Sequence, residues 1–477
     1  MELLKAVERL REILGPSRVF TDEVILVENA SDMTEADPHR PDVVVKPADR
    51  EEVAAIVKLA DELGIPVIPK VAGTNLGGLT IPVRGGIVMD LREMNRILDV
   101  NETDMYAVLE PGVTFGQLKE HLDADYPGLR FGYPLAPPET SVVCNCLLDG
   151  LGNLSNAHGA MGSWINGLEV VLPNGETMRT GSIAVSPFWF SRAPLPDLTG
   201  LFVSWQGATG IVTKMGVQLY PKRPKRKRMF FLTYDYENSF EAMRAFARKE
   251  IFDDIGGLTW PTGKMLFGVE KPLVKDPSEP LFFVYLDISA NTRMELKAKK
   301  EIMQGVIKGF RKRGIAVDDP LDVEDLVKLN PEFGSLADFP TRLWFLLDHP
   351  GGGLTWVGTY GPCSKWESAA ERGADIMSAS GFPPIIVARP MKGGHFAVLR
   401  FILIFDKSKE EEVSRVKEVL DRLADLSMDE GFVPYKAPGW VVEKFRDRMD
   451  PVTYRMMKSI KDLIDPKGIM NPGRWLF

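Results

Sequence analysis

Up to about Pro221 short β-branched runs alternate with amphipathic stretches, and this alternation predicts strands and helices in turn. PDVVVK is a strand by its apolar run. Glu51 to Leu63 carries apolar residues at helical spacing, and Gly64 follows as a C-terminal stop. IPVIPK then gives a second strand, which completes a strand–helix–strand unit. From about Met229 to Met428 the pattern changes. FFLTYDY, LFFVYLDIS, LTWVGTY and FAVLRFILIFD predict strands, and Phe240–Glu250, Arg293–Arg313, Lys365–Ser380 and Lys409–Glu430 predict helices. Such an order gives an α+β layer on an antiparallel sheet, built as two β–α repeats of ferredoxin-like type. Gly431 to Phe477 holds a helix ending near Leu463 and a turn-rich tail, DPKGIMNPGRWLF.

Composition narrows the class. A chain of 477 residues exceeds one ordinary core and predicts two or three cooperating units. The net charge of -8 gives no reason to expect a nucleic-acid partner. Met1 to Ile13 reads as a charged amphipathic helix without the apolar centre of a signal peptide, and no run is long enough to span a bilayer, so the cytoplasm is the expected compartment. Three cysteines cannot make a disulfide framework or a four-thiolate iron–sulfur cluster. Cys144 and Cys146, two apart, face one side of an extended segment. The five histidines show no metal-ligand spacing, so no metal is expected. The run Lys222–Arg228 (KRPKRKR) is either a docking patch for an acidic partner or, the favoured alternative, a solvated linker.

Chemistry enters at Val71–Leu79, VAGTNLGGL, directly after the strand IPVIPK. Glycines there permit positive φ and close backbone approach, and successive amides can cradle a pyrophosphate. The loop lacks both the GK[ST] ending of a Walker loop and GxGxxG spacing. Further on come GGIVMDLREMNRILDVN, AVLEPGVTFGQL, PPETSVV, GLEVVLPNGETMRTG, GATGIVTKMGVQLYP and DPKGIMNPG, in that order. The ordered set resembles the flavin domain of the vanillyl-alcohol oxidase / p-cresol methylhydroxylase family, over essentially the whole chain. The resemblance implies an α+β fold: a PCMH-type FAD-binding domain (1–222), an α+β cap domain with an antiparallel sheet (223–428) and a C-terminal segment (429–477) returning to the first domain. It also implies an FAD-linked oxidase or dehydrogenase.

The resemblance assigns residues as well. Ala72, Gly73, Thr74, Asn75, Leu76, Gly77 and Gly78 would hold the pyrophosphate. Pro138, Glu139, Thr140, Ser141 and Asn145 match a second FAD-contacting segment, as do Gly152, Asn156 and Gly159. Gly210, Ile211 and Val212 match the adenine side, and Asn471 and Arg474 the tail that returns to the ring system. Tyr435 and Lys436 fall where the family has an adjacent Tyr-Arg pair, and would polarise substrate oxygen. His158 is the candidate for proton transfer, with ordering of its loop as the equal alternative. Trp260, Trp344, Trp356 and Tyr360 are expected on cap strands, some lining an apolar pocket. His395 reads as a hydrogen-bonded strand residue rather than a ligand.

Three departures shape the expected chemistry. Leu76 stands for a second phenolate-binding tyrosine, Ala160 for an aspartate near flavin N5, and Gly353 near a histidine that carries a covalent flavin bond. Non-covalent FAD is therefore expected. The expected reaction is oxidation of a small alcohol or aromatic substrate by hydride transfer, with electrons passed to a separate acceptor. One alternative is a 2-hydroxy-acid dehydrogenase with Lys392 or Arg400 gripping the carboxylate. Met391–Val398 holds one histidine where the hydroxy-acid branch has two, which disfavours it. Another alternative is a flavin subunit of a larger complex. The expected partners are a small-molecule substrate and an acceptor subunit, a cytochrome or an iron–sulfur protein; a homo-oligomer stays open.

Overall fold

The computed structural model describes residues 2–315 and 317–475. Helix Glu2–Leu14 packs on helix Arg50–Leu63, as the amphipathic patterns predict. The second of these starts where the Asp49 carboxylate accepts the Glu52 amide, and stops where Gly64 adopts φ 66°. Capping of this kind contributes about 1 kcal/mol and fixes the helix register. Strands β1 (Val19–Phe20), β2 (Val43–Val45), β3 (Val67–Lys70) and β4 (Ile87–Asp90) form a sheet in the order β1-β2-β4-β3. The β2–β4 and β3–β4 pairs are parallel, as a strand–helix–strand crossover requires. The tail returns to this sheet: Val67 N–H donates to Ile469 O, and Asn471 N–H to Val67 O.

A second sheet follows, from β5 (Ile97–Asn101), β6 (Tyr106–Leu109), β8 (Ile165–Val171), β9 (Thr177–Arg179) and β10 (Ile211–Gln218), antiparallel in the order β5-β6-β10-β8-β9. The short strands β7 (Leu129–Arg130) and β11 (Tyr220–Pro221) pair beside it. Between the sheets lies helix Val142–Leu147, capped by Ser141. Its helical turn overturns the expectation that Cys144 and Cys146 share a side. Residues two apart on a helix point nearly opposite ways. Cys146 enters the core of the second sheet, while Cys144 packs against the core of the first.

The cap is one eight-stranded sheet: β12 (Lys225–Thr233), β13 (Asp254–Thr259), β14 (Phe282–Ala290), β15 (Leu321–Asp322), β16 (Gly352–Gly361), β17 (Ile385–Met391), β18 (Phe396–Asp406) and β19 (Val433–Pro434). Their order is β15-β12-β14-β13-β17-β18-β16-β19. Each half is a βαββαβ unit with its strands in ferredoxin-like order. The halves join where β13 pairs with β17, Gly257 opposite Ala388. Helices Tyr236–Ala247, Arg293–Lys312, Trp366–Ala379 and Glu410–Asp429 cover one face. Period-two alternation sorts the side chains. On β18 Leu399, Phe401, Leu403 and Phe405 meet the helices, whereas Ile402 and Ile404 face the other side. Arg400 shares their parity.

Several expectations are corrected. Lys222–Arg228 is not only a linker: Lys225 opens β12, and Arg226 and Arg228 bind the buried Asp287. FFLTYDY is a strand only to Thr233, because Asp235 caps a helix that begins at Tyr236. Trp260 and Trp344 start short helices instead of lying on strands. His395 sits exposed in the turn that precedes β18. Strands β13 and β17 went unpredicted; both are buried along their whole length and lack a polar alternation to mark them. No helix among the described residues is long and apolar enough to cross a membrane.

Candidate active site

The loop after β3 bends back at Gly73 (φ 68°) and again at Gly78 (φ 63°). Asn75 Oδ1 closes the bend by accepting the amides of Gly77 (3.1 Å) and Leu79 (2.9 Å). The amides of Gly73, Thr74, Asn75 and Leu76 have no protein partner among the described residues. A Cβ on Gly77 would stand 2.3 Å from the Lys436 carbonyl oxygen, so only glycine lets these backbones meet.

A cleft of about 960 Å³ runs from this loop across helix Val142–Leu147 to the start of β10. Ala72, Gly73, Thr74, Asn75, Thr140, Ser141, Asn145, Gly210, Ile211, Val212 and Asn471 line it, all of them expected at a cofactor. Gln206 also lines it and was missed; its mark in the sequence is only a polar residue before Gly207. Gln206 Oε1 and Asn471 Oδ1 are buried acceptors without a partner among the described residues. Unpaired amides at one part of the cleft and unsatisfied amide oxygens at another suit a ligand with phosphate oxygens and N–H donors. An FAD fits that donor set.

Other expected cofactor residues lie elsewhere. Gly77 and Gly78 border a separate outer cavity, and Arg474 holds their loop from behind by donating to Gly78 O (2.8 Å) and Ile81 O (3.1 Å). Pro138 packs on Gly116. Leu76 and Glu139 face a second cavity. Gly152, Asn156 and Gly159 lie at the seam with the cap. There Gly152 O accepts Arg389 Nη2 (2.7 Å), Asn156 Nδ2 donates to Phe252 O (2.9 Å), and Gly159 abuts Lys392. The one-turn helix Ser155–His158 runs along that seam, which turns these residues to the cap. His158 stacks on Tyr220 at 4.2 Å, is exposed, and lines neither cavity. Lys392 is exposed and lines neither cavity as well.

The second cavity lies under the open face of the cap sheet. Its wall is mostly apolar, with Leu258, Leu346, Leu354, Trp356, Val387 and Ile402 prominent. It meets the first cleft at Thr74, Asn75, Thr140, Asn145 and Lys436, which line both. Arg389 and Arg400 are its inner cations. Arg389, missed in the sequence, is an isolated charge in IIVARPM just as Arg400 is in FAVLRFILIFD. Arg389 pairs with the fully buried Asp254. Arg400 Nη2 donates to Tyr435 Oη at 2.5 Å, its guanidinium lies 4.7 Å from the Trp356 ring centroid, and it makes no ion pair with a carboxylate among the described residues.

Tyr435 is buried between Trp356 and Tyr360, with ring centroids 5.7 and 4.6 Å away. Burial keeps its phenol above the ordinary range, with Arg400 opposing. Lys436 adopts φ 53° and donates from Nζ to Asn145 Oδ1 at 2.9 Å. Burial first, and the Arg400 charge second, bring its ammonium down to about 7. Among the described residues no cluster of histidine, cysteine, aspartate or glutamate could hold a metal ion.

Comparison with known proteins matches residues 41–181 to the FAD binding domain family and residues 391–475 to the C-terminal domain of FAD linked oxidases. The chain is 26% identical over 514 residues to the 4-cresol dehydrogenase [hydroxylating] flavoprotein subunit of Pseudomonas putida, covering 99% of this chain and 95% of that one. It is 27% identical over 449 residues to the mitochondrial D-lactate dehydrogenase [cytochrome] of Arabidopsis thaliana, covering 91% and 73%. Among solved structures, p-cresol methylhydroxylase with substrate bound superimposes with a TM-score of 0.87 at 23% identity, over 99% of this chain and 96% of that one, a likeness of fold.

Proposed function

Because the chain belongs to the FAD-linked oxidases with a PCMH-type flavin domain, we propose that it oxidises an apolar alcohol or hydroxylated aromatic held between that domain and the cap. The observation that carries this reading is the junction of the two cavities at Thr74, Asn75, Thr140, Asn145 and Lys436. A cofactor anchored by Ala72–Asn75, Ile211 and Asn471 would present its reactive ring at that junction, where the flavin supplies the two-electron oxidant. The protein supplies orientation and charge. The leucine-rich wall takes the apolar body and excludes water. Arg400, which lines the cavity and is steadied by its hydrogen bond to Tyr435 Oη, holds the substrate oxygen as charge develops on it. The electrons then pass to a separate acceptor.

Non-covalent attachment is part of this reading, supported by glycine at position 353. Acid precipitation should release the yellow chromophore into the supernatant. A second reading, oxidation of a 2-hydroxy acid, is favoured by one feature: Arg400 has no carboxylate partner among the described residues and could take one from a substrate. The apolarity of the cavity weighs against a hydroxy acid as small as lactate. Anaerobic bleaching of the flavin separates them. Benzylic alcohols and para-substituted phenols should bleach it; bleaching by short 2-hydroxy acids alone would replace the first reading with the second.

A further inference from the structure

We propose that Lys436 is the proton acceptor of the oxidation, working as a neutral amine that drains to solvent through a third cavity. This rests on the reading above, in which substrate oxygen enters the junction of the cleft and the cap pocket. Lys436 lines both of those cavities and also a third, of about 610 Å³, bounded by Asp149, Ser204, Tyr360, Tyr435 and Trp475. No other described residue borders all three. An amine at this point can face substrate on one side and a water path on another.

The backbone fixes it there. Lys436 holds a left-handed φ of 53°, its carbonyl is pressed against Gly77, and the Ala437 carbonyl accepts Gln206 Nε2 at 2.9 Å. Strain at a non-glycine residue is kept where the surroundings hold it and the position is used. Asn145 Oδ1 accepts one N–H of the amine, which leaves the remaining positions on nitrogen to turn toward the junction.

Burial and the Arg400 charge favour the neutral form of the amine, and Asp149, Cys144 and Cys146 oppose it less strongly. From β18 comes the Arg400 cation. From helix Val142–Leu147 come Cys144 and Cys146, and from β16 comes Tyr360; burial holds all three protonated. Tyr435, its chain neighbour, is likewise a phenol. From the turn after the helix comes Asp149, whose carboxyl burial raises and whose Oδ1 accepts the Gly162 amide at 3.1 Å. A lysine used only as a cation would sit poorly beside an unpaired arginine.

The step balances without another group. The substrate O–H bond breaks and its proton forms an N–H bond on Nζ, giving ammonium. The O–H electron pair becomes the second bond of the new carbonyl. The C–H bond breaks, and hydrogen leaves with both electrons to the family's flavin oxidant. The ammonium then loses its proton to water in the third cavity, beside Asp149.

Two measurements test the assignment. Competitive acetylation of the purified full-length protein, read at the Lys436 peptide by mass spectrometry across pH 5–11, gives the amine's titration without any substrate. A midpoint within about one unit of 7 is expected; a midpoint near that of an ordinary lysine, about 10.4, overturns the proposal. The second measurement is anaerobic flavin reduction in K436R, with flavin content as the control. Arginine is a permanent cation that cannot accept a proton, so the rate should fall about 100-fold or more, and the wild-type rise in rate through pH 7 should vanish. K436R reduced within a few-fold of wild type would make Lys436 a cation only. A panel in which no compound reduces the wild-type flavin would sink the substrate reading, while the acetylation midpoint would still decide for or against the amine.

Discussion

The two halves of the cap sheet share one strand order and use their strand arginines in opposite ways. In the first half Arg226 and Arg228 project from β12 onto Asp287 of β14, and Arg228 also approaches Asp254 at 3.8 Å. Asp254 then reaches across the midline to Arg389 of β17. Every guanidinium in that network has a carboxylate. In the second half Arg400 has a phenol, an indole face and an apolar cavity instead, and its Nε has no partner among the described residues. A buried charge that is paired holds the sheet together. A half-buried charge that meets no carboxylate among the described residues and faces a cavity is free for a ligand. The repeat topology is therefore neutral about function, and the distribution of carboxylates over it is what separates scaffold from site.

Removing a carboxylate from the paired half should do the most damage. D254A leaves Arg389 without its carboxylate while Arg228 keeps Asp287, and the loss is expected at about 3–5 kcal/mol. Chemical or thermal denaturation would register it, and an unchanged midpoint would mean the pairing is not structural. R400M is the converse. It removes no ion pair, so stability should hold within about 1 kcal/mol, while substrate-driven flavin reduction falls about 100-fold. Because Arg400 helps lower the Lys436 ammonium, its midpoint should also rise in R400M. A variant that loses stability and keeps activity would erase the distinction between the halves. The smallest effect is expected at His158, which stacks on Tyr220 outside both cavities. H158Q should leave the reduction rate within about two-fold and stability within about 0.5 kcal/mol, the range of ordinary surface changes; a large loss would return His158 to the chemistry.

Elements with a strong period are legible in the amino-acid order alone. The helix Arg50–Leu63 with its Gly64 stop, the four cap helices and strands β14, β16 and β18 all announce themselves through apolar spacing. Strands β13 and β17 do not, since a strand buried on both faces has no alternation to read. At the site, the loop Ala72–Asn75 and the pair Tyr435–Lys436 stand out as motifs. Gly152, Asn156 and Gly159 stand out too, but the structure turns them to the domain seam. A motif gives order along the chain, and direction comes only from packing.

The order of the flavin-type motifs, the α+β character of the cap and a glycine-rich turn able to face phosphate can be read along the chain, because they depend on local spacing and backbone freedom. That Arg400, Tyr435, Lys436 and Asn145 share one point is a product of packing. They come from a cap strand, the segment that follows its last edge strand, and a helix of the other domain. Contacts between residues 35 and 291 positions apart, as between Arg400 and Tyr435 and between Asn145 and Lys436, are set by how two sheets close on one another. No local preference encodes that closure.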